Sequence, residues 1–119
     1  MNALIESIFQ GFTVNGVEIP VTLLYYQGHG EPYVVYMQYD ADGSISGDDE
    51  LIGYIDYYDF DVYSKGNFLP IVKAVKSVLT DNGFIWEPSR SSQDFYEVDT
   101  GYYHKTLCFA VPRQEGDEQ

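Results

Sequence analysis

Apolar side chains at Leu4, Ile5, Ile8 and Phe9 recur at the spacing of one helical face, so the pattern predicts a short N-terminal helix ending near Gly11. Phe12-Thr13-Val14 and Val17-Glu18-Ile19 flank Asn15-Gly16, a pair that tolerates the positive φ angles of a two-residue hairpin turn. Pro20 withholds a backbone donor from its strand, and the apolar run Val21 to Tyr26 gives way to Gln27-Gly28-His29-Gly30-Glu31-Pro32, a loop by composition.

Tyr33 to Tyr39 is dense in β-branched and aromatic residues and is read as a strand. Asp40 to Glu50 is polar, glycine-rich and acidic, which predicts a solvated loop between strands. Leu51 to Ser64 resumes the β pattern, and Phe60 and Val62 alternate with Asp59 and Asp61 to give one wet and one dry face. Carrying that phase back turns Asp56 inward beside Tyr54 and Tyr58. A buried unpaired carboxylate is costly, so a bulge or an open strand end near Gly53 is expected to relieve it.

Asn67 is a suitable N-cap for a helix over about residues 67–82, with Phe68, Ile71, Val72, Val75, Val78 and Leu79 on one side and Lys73 and Lys76 opposite. Asn82-Gly83 closes it with residues that accept the left-handed conformation. Phe84-Ile85-Trp86 starts another strand that breaks at Pro88. Phe95 to Val98 and Tyr102 to Val111 form a hairpin around Asp99-Thr100-Gly101, with Leu107, Phe109 and Val111 on one face. Pro112 is expected to end that strand, leaving a short acidic tail from about residue 113. The fold class expected is α+β: one domain over 1–119, a mainly antiparallel sheet and both helices packed on one side.

Charge narrows the functions available to such a domain. Nineteen acids against six bases give a formal charge of −13, which disfavours holding nucleic acid by phosphate neutralisation and disfavours an anionic membrane surface. With 45% hydrophobic and 17% aromatic residues the chain is too apolar for a disordered acidic tail. The lone Cys108 excludes an internal disulfide framework and fits a reducing compartment. No signal segment or membrane span is expected, because no basic n-region, apolar h-region or long apolar run is present.

Candidate chemistry is thin. Asp40-Ala41-Asp42-Gly43-Ser44 resembles the start of a calcium loop, but counting from Asp40 puts Ile45 and Leu51 where an EF-hand needs glycine and glutamate. His104 and Cys108 share a strand face but lie about 13 Å apart at the usual rise, too far to act as a pair. Cys108 reads as a small buried hydrophobe and His29 as an exposed loop residue. The sequence contains no phosphate-cradling, dinucleotide, nucleophile-elbow or zinc-protease motif. Nothing among these residues recommends catalysis, a cofactor or a metal site.

The twelve tyrosines stand out instead, because tyrosine combines a rigid apolar ring with a wet tip and is enriched at protein interfaces. In the 51–64 strand, Tyr54 and Tyr58 point opposite to Tyr57 and Tyr63, and one small core cannot hide both sides. The candidate subunit or partner surface comprises Tyr25, Tyr26, His29, Tyr54, Tyr57, Tyr58 and Tyr63.

Four stretches resemble the tail-completion or tail-terminator proteins of long-tailed bacteriophages and prophages. They are Pro32-Tyr33-Val34-Val35-Tyr36, the acidic Asp48-Asp49-Glu50 leading into Asp61-Val62-Tyr63-Ser64-Lys65-Gly66-Asn67, the helix closing at Asn82-Gly83-Phe84, and Tyr96-Glu97-Val98-Asp99-Thr100-Gly101-Tyr102-Tyr103-His104-Lys105. The last is the most specific. The resemblance implies an α+β protomer assembling as a homo-oligomeric ring, six-fold, on the last ring of the tail tube protein. Such a ring stops tube growth and offers its other face to the head-tail connector protein, at the head-proximal end of the virion tail. DNA then passes through its lumen without being gripped, and Asp40, Asp42, Asp48, Asp49 and Glu50 are candidates to face that lumen. The alternative from size, charge and aromatics is an acidic immunity or antitoxin-type inhibitor covering a basic toxin cleft.

Overall fold

Asn15 and Gly16 take φ angles of 53° and 81°, the left-handed pair that a tight hairpin demands, and so join β1 (Thr13–Val14) to β2 (Val17–Glu18). In the computed structural model, residues 2–26, 31–47, 50–92 and 94–114 are described, with the backbone alone at 2, 39–47, 50–54, 113 and 114. Helix α1 (Asn2–Ile8) precedes the hairpin, and Gly11 at φ 70° turns the chain out of it. The remaining elements are β3 (Val21–Leu23), β4 (Tyr33–Gly47), β5 (Glu50–Ser64), α2 (Leu69–Asp81), β6 (Ile85–Trp86), a 3₁₀ turn at Pro88–Arg90, β7 (Phe95–Tyr96) and β8 (Tyr103–Gln114).

The main sheet has six strands in the order β3-β4-β5-β8-β6, with β7 also on β8. Only β3 with β4 is parallel; the other pairs are antiparallel. The chain is thus α+β with a mainly antiparallel sheet, as its periodicity predicts.

The largest correction falls on 40–50. The predicted loop is strand: β4 continues through Asp40 and Asp42 to Gly47, and β5 begins at Glu50, while Asp48 and Asp49 lie outside the described residues. Cross-strand pairing with the β-prone 51–57 segment overrides the polar composition. Register shifts between Gln38/Asp40, Asp42/Ile45 and Ile45/Ser46 absorb the extra residues as bulges. The resulting arm helps to make the molecule elongated, 51 × 27 × 22 Å.

Pro112 also fails to end its strand. Cys108 accepts from Glu87 N–H and donates its own N–H to Ser91 Oγ, so the even positions of β8 point their backbone groups away from β5. Pro112 shares that parity, and β6 pairs β8 no further than Ala110. The missing N–H therefore falls on an open edge, and pairing with β5 continues to Gln114.

Both helices pack on one face. Ile5 of α1, Phe9 just beyond its end, and Ile71, Val72, Val75 and Leu79 of α2 close over Val34, Tyr36, Tyr58, Phe60, Val62, Leu107 and Phe109. Phe60 is the hub, with the ring centroids of Phe9, Tyr36, Tyr58, Phe84 and Phe109 at 5.6 to 6.5 Å. Helix α2 begins one residue later than an Asn67 cap implies. Phe68 occupies the cap position, and Asn67 Oδ1 accepts from Leu69 N–H at 3.2 Å. Its end matches expectation: Gly83 is left-handed at φ 88° and Phe84 N–H reaches back to Leu79 O.

Asp56 does point inward and is 0% exposed. The ladder is irregular at Gly53 as expected, with register shifts on either side of its pair with Ile45, but this does not turn Asp56 outward. Gln38 Nε2 donates to Asp56 Oδ1 at 3.3 Å from the neighbouring strand, immediately before the first register shift of β4.

Candidate functional site

On the face away from the helices, register places one aromatic row across four strands. Tyr33 of β4 lies opposite Tyr63 of β5, Tyr63 opposite His104 of β8, and His104 opposite Phe95 of β7. Direct cross-strand neighbours on one face are within stacking reach. Tyr33 and Tyr63 stack at 4.7 Å, Tyr63 and His104 at 4.3 Å, and Phe95 lies tilted 6.4 Å from His104. Tyr26 extends the row at 4.7 Å from Tyr33, and Tyr102 meets Tyr33 and Tyr63 edge-on.

Carboxylates border this row. His104 Nε2 faces Asp61 Oδ1 and its Nδ1 faces Glu97 Oε2, each at 3.5 Å. Thr106 Oγ1 donates to Asp61 Oδ1, and Thr100 Oγ1 donates to Glu97 Oε1 at 2.9 Å. Glu97, His104 and Thr106 are thus ordered as a carboxylate, an imidazole and a hydroxyl. The Thr106 proton is directed at Asp61 rather than at the imidazole, which stands 3.5 Å away, and Tyr63 covers one face of the ring. What the arrangement does is tie β5, β7 and β8 together by polar contacts and stacking.

Burial, the Asp61 carboxylate, Tyr33 and Glu97 push the Tyr63 hydroxyl up to about 12, so it stays protonated. Further along the same face of β5, burial and then Asp61 raise Asp59 to about 6, partly offset by a hydrogen bond from the Cys108 thiol. Cys108 is fully buried, as its small apolar reading predicts, but it lies against this carboxylate.

The sequence-chosen interface residues separate. Tyr25 is 69% exposed at the end of β3. Tyr26 donates to Glu31 Oε1 at 2.6 Å and joins the aromatic row with Tyr63. Tyr57 shares the outer face but lies beneath the Arg90 guanidinium, 3.9 Å from its ring centroid. Tyr58 is fully buried among Phe60 and Phe84, so it serves the core and is withdrawn from the surface set. His29 and the Tyr54 side chain lie outside the described residues.

Sequence reasoning missed Asp61, Glu97, Phe95 and Tyr102 as members of this surface. A three-residue turn at 99–101 would have set Tyr96 opposite His104; the strands instead close between Glu97 and Tyr102, around residues 98–101, and this one-residue difference puts Phe95 opposite His104. Sequence reasoning also missed an open groove of about 450 Å³ at the start of α2, lined by Lys65, Asn67, Phe68, Leu69, Asp94 and Tyr103. Tyr103 stacks near Phe68 there, and the Tyr96 ring lies tilted against it, 4.9 Å between centroids.

Among the described residues, no group of three or more His, Cys, Asp or Glu side chains is placed to hold a metal ion, and no helix is long and apolar enough to cross a membrane. Neither the family models nor the curated proteins compared with the chain give a match.

Proposed function

We propose that this protein is a tail terminator of a long-tailed bacteriophage or prophage, a ring-forming subunit that caps the tail tube and joins it to the head connector. The observation that carries the reading is the Tyr96–Lys105 run. Its residues build one surface feature rather than a scattered set: Glu97 holds His104 and Thr100, Tyr102 donates to Glu31 O, and Lys105 bridges to Asp94 at 3.0 Å. A ring of identical subunits needs two different docking surfaces on each copy. Exposed apolar groups at opposite margins of the sheet support that requirement, with Leu23, Leu24 and Tyr25 at the β3 margin and Ile85, Phe95, Tyr96 and Val98 at the other.

Electron microscopy of particles made without this gene tests the reading. Overlong tails with unjoined heads are expected, and normal joined virions would sink it. The inhibitor reading draws on one specific observation, that no lysine or arginine precedes Lys65. A co-purifying basic toxin, protected from activity by this chain, is the result that would favour it.

A further inference from the structure

We propose that the outer edge of β4, from Met37 to Gly47, is a docking site for an extended, lysine- or arginine-bearing segment of another protein, which adds to the sheet as a strand. The inference stands without the tail reading, because it rests on pairing and charge alone.

Strand β3 covers β4 only over Val34–Tyr36, whereas β4 pairs with β5 as far as Gly47. The last contacts on that side are Val34 N–H to Pro20 O and Leu24 N–H to Tyr36 O. Leu24 then takes a left-handed φ of 66° and leads the chain off the sheet. By strand alternation Gln38 is the next residue to turn its backbone N–H and C=O to that side, and no strand among the described residues pairs β4 there. A row of backbone donors and acceptors of this kind is a template for an added strand.

Charge selects the occupant. The arm carries Asp40 and Asp42 on β4 and Glu50 on β5, and no lysine or arginine precedes Lys65. A second copy laid on the same edge would set acid against acid, which destabilises a pair of strands, and the register shifts along β4 further discourage indiscriminate pairing. A basic strand meets the opposite situation, with cross-strand charges complementary and association steered. Edge and face are separate surfaces of a strand, so an added strand leaves one face of the arm free for other duties.

The test uses the full chain and three synthetic octapeptides: alternating Lys and Val, the same peptide N-methylated at every residue, and alternating Glu and Val. Affinity is read by fluorescence anisotropy and location by amide hydrogen exchange. The Lys–Val peptide is expected to bind and to slow exchange within Met37–Gly47. The N-methylated peptide, which keeps the charge and loses the backbone donors, should bind about tenfold more weakly or worse, and the Glu–Val peptide should not bind. Asp40→Asn with Asp42→Asn should weaken the Lys–Val peptide while leaving the circular dichroism spectrum unchanged. The proposal is overturned by no binding of the Lys–Val peptide, by equal binding of its N-methylated form, or by protection confined to another surface such as the Phe68–Tyr103 groove. Dimerisation of the peptide-free chain with protection at Met37–Gly47 overturns it in favour of a second copy.

Discussion

The imidazole of His104 lies parallel to the Tyr63 ring, 10° between planes and 4.3 Å between centroids, with Asp61 and Glu97 on its two nitrogens. His104→Ala removes the stack and both carboxylate contacts and is expected to cost about 1–3 kcal/mol in urea unfolding. His104→Phe keeps a stacking ring without nitrogens and should recover part of that loss. Full recovery would show that the ring alone holds β5 to β8 and that the carboxylates contribute nothing.

Asp59 makes stability depend on pH in a defined direction. Its carboxyl is raised from 3.8 to about 6 in the folded protein, so between those values the folded state binds more protons than the unfolded one. This contribution to stability therefore falls as pH rises through that window, and the ionised group remains a burden above it. Asp59→Asn keeps an acceptor for the Cys108 thiol and should raise the urea midpoint at about pH 7, converging with the parent protein at acid pH. Glu18→Gln, an exposed position, supplies the same change in net charge. An equal gain from both variants would assign the effect to overall repulsion instead of to burial of Asp59.

Gln38 and Asp56 form a second coupled pair. Gln38→Leu removes the amide that donates to a fully buried carboxylate and is expected to destabilise by about 1–3 kcal/mol. Asp56→Leu in the Gln38→Leu background should restore part of the loss, since two apolar groups leave no carboxylate to satisfy. Additive losses in the double-mutant cycle would mean that the two side chains act independently.

The body of this fold was legible because its signals are local. Asn15-Gly16 set the first hairpin, the apolar spacing from Phe68 to Leu79 set α2, and alternation about Phe60 set the buried face of β5. The arm was not legible, because aspartate, glycine and serine between Asp40 and Gly47 say loop, and only the partner strand turns them into a ladder. The aromatic row was hidden for a related reason. Tyr33, Tyr63, His104 and Phe95 are far apart in the chain, and register alone brings them side by side. Counting tyrosines located the right kind of residue and mixed core with surface, since Tyr57 and Tyr58 differ only in the parity of their positions.

Tyr25 separates assembly from stability. Its side chain is 69% exposed at the β3 margin, so Tyr25→Ser should change unfolding free energy by no more than about 0.5 kcal/mol. Under the tail reading the same variant should complement a gene deletion poorly, giving overlong or unjoined tails in micrographs. Normal virions from a stably folded Tyr25→Ser protein would remove this margin from the ring interface.

The acidic arm gives the lumen its own test. Under the tail reading, Asp40→Asn, Asp42→Asn, Asp48→Asn, Asp49→Asn and Glu50→Gln together would remove repulsion between this acidic stretch and passing DNA, so ejection should slow while tail length stays normal. Because charge acts over roughly 8 Å at physiological salt and less at higher salt, the difference from the parent virion should shrink as ionic strength rises. Ejection kinetics followed by a DNA-binding dye at two salt concentrations read both effects. A deficit that does not change with salt would point to a lost contact between proteins, such as a strand added at β4, and unchanged ejection would take the arm out of the lumen altogether.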